Sequence, residues 1–96
     1  MSSIKKIKVG KKYISALSMK LCSKNLVLLR ANKGYVMCGY LNLAAAEKFK
    51  DVAIKITGVS TIKDALSTKV FACTASAKRL GIRKGQPIKE VLKIIA

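Results

Sequence analysis

The side chains able to carry covalent or acid–base chemistry are few and scattered. There are three cysteines (Cys22, Cys38, Cys73), no histidine, and four carboxylates (Glu47, Asp51, Asp64, Glu90). Cys38, set between Met37 and Gly39, is the sharpest candidate nucleophile. A thiol reacts as its thiolate, which a neighbouring cation favours, and Arg30 is the cation that the strand pairing argued below brings to its face. With no histidine, the usual cysteine–histidine pair is excluded. The competing reading is a packed thiol, because free cysteine is among the most buried residue types. That reading is preferred for Cys38, and more so for Cys22 and Cys73. Cys38 and Arg30 are therefore the candidates for catalysis, in a chain whose balance is against an enzyme.

Other chemistries lack material. There is no Cys-x-x-Cys, and the acidic residues are dispersed, so neither a metal site nor a cofactor is expected. Paired-carboxylate catalysis fails on the same count. Neither the phosphate-loop nor the dinucleotide glycine pattern occurs.

What the chain has in excess is positive charge, with twenty Lys+Arg and a formal net charge of +16. Such a charge repels itself in the compact state and attracts polyanions. Lys5, Lys6, Lys8, Lys11 and Lys12 cluster at one end, and Lys78, Arg79, Arg83 and Lys84 near the other. Lys33, in a turn, adds an ammonium group beside backbone amides. These are the candidates for binding nucleic acid or another anion. Against them stand a 5% aromatic content and the lack of a recognised RNA-binding motif. Lysines on a first strand also serve to block edge-to-edge aggregation, and an ordinary hairpin turn explains Lys33.

A chain of 96 residues is read as one domain, residues 1–96, β-rich to about residue 41 and mixed from about 42 to 96. A domain this size buries only about two-thirds of the surface of its unfolded chain. Yet 51% of the residues are hydrophobic and the mean hydropathy is +0.27, so some apolar surface calls for a partner subunit. MSSIKKIKV lacks the apolar segment of a signal peptide, and no run reaches the roughly 18 apolar residues of a membrane span. With three dispersed cysteines this predicts a cytoplasmic, reduced protein without a membrane partner.

The periodicities predict the elements. Lys5 to Val9 alternates as a half-buried strand, and Gly10-Lys11-Lys12 turns into a second strand, Tyr13 to Leu21. There Leu17, Met19 and Leu21 share one face, while Ile14 and Ala16 break the alternation, which predicts a bulge or a partly covered second face. After the Cys22–Asn25 turn, Leu26 to Ala31 and Tyr35 to Leu41 are apolar runs of strand length, the mark of burial on both faces. Asn32-Lys33-Gly34 fits a three-residue hairpin loop with Gly34 in the left-handed conformation. That loop sets Ala31 opposite Tyr35, Leu29 opposite Met37 and Leu28 opposite Cys38. Cys38 then shares a face with Arg30, Leu26, Leu28, Val36 and Tyr40.

Asn42 caps a helix from Leu43 to Lys50, and Val52, Ile54 and Ile56 mark a fifth strand ending at Gly58. Thr61 and Asp64 form a capping box for a short helix through Leu66. A strand from Val70 to Thr74 leads to a helix from Ala75 to Leu80, which Gly81 and Ile82 close as a Schellman end. Pro87 opens a last helix with the stripe Ile88, Val91, Leu92, Ile95. The class is α+β, a mainly antiparallel N-terminal sheet with short helices packed on one face. Little is left to cover the other side, which predicts a homo-oligomer built through the strands.

Lys33-Gly34-Tyr35-Val36-Met37-Cys38-Gly39, followed by Leu41, resembles the signature of the YunC-like domain-of-unknown-function family of bacteria and archaea. Asn25-Leu26, Gly58-Val59, Leu80-Gly81-Ile82 and Gly85 also fall where that family has them. The resemblance implies a small α+β domain whose N-terminal β region mediates tetramer formation, and it implies no activity. Asn42 stands where relatives can carry Asp, so no carboxylate role passes to it.

Three functional classes follow: an oligomeric interaction domain without chemistry of its own, a basic module for nucleic acid or another anion, and an enzyme or small-molecule binder with an inter-subunit pocket near Cys38.

Overall fold

The computed structural model describes residues 2–39 and 42–96. Its ten elements run in the predicted order: β1 (Ser2–Val9), β2 (Lys12–Leu21), β3 (Lys24–Arg30), β4 (Tyr35–Met37), α1 (Leu43–Lys48), β5 (Ala53–Lys55), α2 (Ile62–Ser67), β6 (Ala72–Cys73), α3 (Ala75–Arg79) and α4 (Ile88–Ile95). The expected extension of β4 to Leu41, and Tyr40 as a face residue, lie outside the described residues. The six strands form one sheet in sequential order. Every pairing is antiparallel except β4–β5, where α1 supplies the crossover that parallel strands need.

The caps follow from local chemistry. The Asn42 side chain accepts from Ala45 N–H at 3.2 Å, and Thr61 Oγ1 accepts from Asp64 N–H at 3.0 Å. The short Asp64 side chain closes its box one residue further back, taking the Ser60 N–H at 3.1 Å. At the end of α3, Ile82 N–H reaches Ala77 O and Gly81 N–H reaches Lys78 O, with Gly81 at φ +93°. That is the Schellman pattern.

The main core lies on one face of the sheet. Ile14, Ala16, Val27, Leu29, Val36, Ile54 and Ile56 pack there against Ala65, Ala77 and Ile82 and the α4 stripe of Ile88, Val91, Leu92 and Ile95. Each large aliphatic side chain buried in this way contributes about 1.5–3 kcal/mol. One helix lies elsewhere: Ala46 of α1 packs with Ala53, Tyr35, Met37 and Leu43 in a second, smaller cluster. Tyr35 and Met37 pair with Arg30 and Leu28, so α1 covers one margin of the opposite, outer face.

One sequence expectation is narrowed and one changes. Strand β2 pairs without interruption on both sides, so of its two predicted alternatives the bulge is absent and the partly covered second face holds, Leu17 and Met19 being half-buried. It is a regular strand, with Ile14 and Ala16 buried in the core and Leu17, Met19 and Leu21 on the outer face. The β3–β4 register is one residue away from the predicted one. Arg30 pairs with Tyr35, Leu29 with Val36 and Leu28 with Met37, and the connection has four residues, closed by Ala31 N–H to Gly34 O at 2.8 Å. Gly34 does not take a positive φ. It is glycine because a Cβ there would lie 2.6 Å from Val52 Cγ1 and 2.8 Å from Val52 Cβ, and would overlap the Val52 carbonyl oxygen. Close approach to the chain entering β5, where Tyr35 N–H meets Val52 O, sets the offset. A slip of one residue turns every following side chain to the other face.

Candidate functional site

The register decides where Cys38 points. Its N–H donates to Val27 O at 3.2 Å, its Sγ receives Val27 N–H at 3.3 Å, and the thiol lies 3.7 Å from Asn25 O. Cys38 thus joins Val27, Leu29 and Val36 on the core face and is 4% exposed. Arg30, paired with Tyr35, is exposed at the end of the outer face. The predicted pairing of Cys38 with Arg30 is therefore corrected: the sheet separates them. Cys73 is no better a nucleophile, because burial raises its thiol pKa, with Lys78 opposing and Glu47 adding to the rise. Cys22 is exposed at φ 49° in the β2–β3 turn, without a catalytic neighbour named by the geometry. Among the described residues, no three His, Cys, Asp or Glu side chains gather as a metal ion would need.

Cys38 does line a cleft of about 580 Å³, together with Lys20, Lys24, Gly39, Gly58 and Ser60. The cleft sits beside the β2–β3 turn, where the chain leaves β4 and β5. Asn25 Nδ2 donates to Ser60 O at 2.9 Å and ties the loop after β5 to β3. Sequence reasoning missed Lys20, Lys24 and Ser60. The available signal was the pair of glycines, Gly39 and Gly58, each just beyond an apolar strand.

The cationic candidates divide. Lys5, Lys6 and Lys8 on β1 and Lys11 and Lys12 after it belong to one edge of the sheet, while Lys78, Arg79, Arg83 and Lys84 follow β6 at the other. All are exposed, and the sheet does not join them into one surface. Lys33 is exposed in the β3–β4 connection, its N–H on Ile95 O. Lys84 and Lys55 both stand over the Phe71 ring, 5.8 and 5.9 Å from its centroid.

The outer face is a further feature. Leu17 pairs with Leu28 and Met19 with Leu26, and Leu28 also pairs with Met37. These side chains are half-buried, with Ile4 at 73% and Tyr13 at 59% exposure beside them. Lys6, Lys8, Lys24 and Arg30 occupy the margin. No described helix is long and apolar enough to cross a membrane.

Comparison with known proteins agrees with the sequence resemblance. Residues 37–95 match the model of the family described as a domain of unknown function, DUF1805. The uncharacterized protein YunC of Bacillus subtilis is 35% identical over 82 residues, covering 81% of each chain. The crystal structure of a protein of unknown function, TA1206 from Thermoplasma acidophilum, superposes with a TM-score of 0.96 at 33% identity, over 100% of this chain and 94% of that one. Asn25, Cys38-Gly39 and Gly58-Val59, from three of the segments that carry the resemblance, meet at the cleft.

Proposed function

The chain belongs to the DUF1805 family, and on that premise we propose that it works as a homo-oligomeric interaction domain, assembled through the outer face of its β region. The observation that carries this reading is the contiguous apolar centre of Leu17, Met19, Leu26 and Leu28 on the outer face, of which α1 covers only the β4 margin, rimmed by Lys6, Lys8 and Arg30. An apolar centre with a polar rim is the anatomy of a protein interface. The three strands β1–β3, about 4.8 Å apart and paired over about seven residues, project roughly 340 Å². Side-chain relief adds to this projected area, against the ~800 Å² per partner that a standard interface buries.

A second copy is the occupant because the face is apolar where a twofold would bring it onto itself, and because the family resemblance implies a tetramer through this region. The +16 charge opposes the association, but only through exposed groups screened within about 8–10 Å at ordinary salt. Self-assembly should therefore strengthen as salt is added. Three free thiols support a reducing, cytoplasmic setting. Oxidative footprinting of Met19 tests the face itself. Protection in a concentrated sample that is lost on dilution is expected; equal oxidation at both concentrations overturns the reading.

A second reading, polyanion binding, is favoured by the charge and by Phe71, 49% exposed between two lysines, where a base could stack. It has the opposite salt dependence, since phosphate contacts weaken as salt rises. Nucleic acid that is released at physiological ionic strength would count against it.

A further inference from the structure

The cleft has a topological cause. Strands β4 and β5 are parallel, so their carboxyl ends open on the same side of the sheet. From there the chain goes to opposite faces, β4 leading to α1 on the outer face and β5 leading to α2 on the core face. Connections that part in this way leave a crevice beyond the strand ends, where open sheets bind ligands. At about 580 Å³, the crevice falls within the range of roughly 300–1,000 Å³ typical of small-molecule sites.

Its lining has a definite chemistry. Lys20 and Lys24 contribute two cations, and no carboxylate is among the described residues that line the cleft. The adjoining Asp64 has its Oδ2 on the Ser60 amide. Among the described residues nothing requires a glycine at position 39: its φ is not positive, and a Cβ there would meet no described atom within 4 Å. Bare backbone facing open space permits close approach of a ligand. The Asn25–Ser60 bond and the two contacts of the Cys38 sulfur hold the walls in place before anything binds.

We infer that this cleft is a binding site for a small organic anion, its phosphate or carboxylate held by Lys20 and Lys24 and its body against Gly39, Gly58 and Val59. Ammonium groups serve such anions as point charges. Lys24 pairs with Leu21 at the end of the outer face and Lys20 with Asn25 on the core side, so the cleft wraps the end of the β2–β3 hairpin and takes one lysine from each side. Cys38 packs as the apolar floor and takes no part in a reaction.

Amide chemical-shift titration of the intact chain at fixed ionic strength, with pyrophosphate and separately with citrate, tests this. Saturable one-site shifts at Lys20, Lys24, Gly39, Gly58 and Ser60 are expected, and the anion that saturates at the lower concentration names the head group. The double variant Lys20→Gln/Lys24→Gln should weaken binding at least tenfold, and Gly39→Val should weaken it by filling the cleft; both should keep the native fold by circular dichroism. Shifts that do not saturate and spread equally over Lys5–Lys12 and Lys78–Lys84, or unchanged affinity in the double variant, overturn it.

Discussion

Leu28 and Leu29 are neighbours in sequence with opposite fates, and replacing each by lysine separates assembly from folding. Leu29 is fully buried, paired with Val36 and Ala16. An ammonium group there lacks a partner and leaves the packing unfilled, at a cost of about 4–5 kcal/mol or more. Small domains have about 5–15 kcal/mol in total, so Leu29→Lys should lose about a third or more of the stability and melt far below the parent. Leu28 lies on the outer face between Leu17 and Met37, where lysine can reach solvent along its stem, so Leu28→Lys should stay folded. In a twofold interface the same change removes about 2 kcal/mol of apolar burial from each copy, about 4 kcal/mol together. At 1.4 kcal/mol per decade that weakens association about a thousandfold. Thermal circular dichroism reads folding and sedimentation velocity reads association. A folded Leu28→Lys that associates as tightly as the parent, or a Leu29→Lys as stable as Leu28→Lys, would refute the reasoning.

Other perturbations follow from the same contacts. Gly34→Ala drives a Cβ into the Val52 backbone and should cost about 1–3 kcal/mol, lowering Tm by at least about 4 °C, whereas Gly39→Ala should leave Tm nearly unchanged; equal effects on Tm would remove the steric account of the register. The buried Thr74 hydroxyl donates to Asp51 O at 2.6 Å and accepts from Ala53 N–H at 3.2 Å and Ala77 N–H at 3.3 Å. Thr74→Val should cost about 2–3 kcal/mol by urea denaturation, most of it recovered by Thr74→Ser. Burial first, then the hydrogen bond to Asp51 and the charge on Asp51, raise the Tyr35 phenol pKa. A raised pKa favours the neutral phenol in the folded chain. Its stabilisation is therefore whole below the unfolded value of about 10 and is lost as pH climbs through the higher folded value. Tyr35→Phe should flatten part of the alkaline decline in stability; a decline parallel to the parent's would contradict this.

The order of elements was legible because local signals set it. The Ile88, Val91, Leu92, Ile95 stripe, the Asn42 and Thr61 caps and the Gly81–Ile82 helix end each specify their element within a few residues. Registers and faces were not legible. In β2 both alternating sets are apolar, so periodicity cannot say which is inside, and only the helices that cover Ile14 and Ala16 decide it. The β3–β4 offset depends on how Gly34 meets Val52, a contact between segments that no hairpin rule includes. That single residue carried Cys38 away from Arg30 and removed the predicted reactive pair. The cleft was hidden for a similar reason: Lys20 and Lys24 come from one hairpin, and Gly39 and Gly58 from two separate strand ends. Only the parallel pairing of β4 with β5 brings the two glycines together.

The most direct test of assembly through the outer face is multi-angle light scattering of nucleic-acid-free protein at micromolar concentration, at low and at high salt. The expected mass is a multiple of the 10.4 kDa chain, four chains by the family resemblance, with the assembled fraction rising as salt is added. A mass of 10.4 kDa at every concentration and salt would contradict the account.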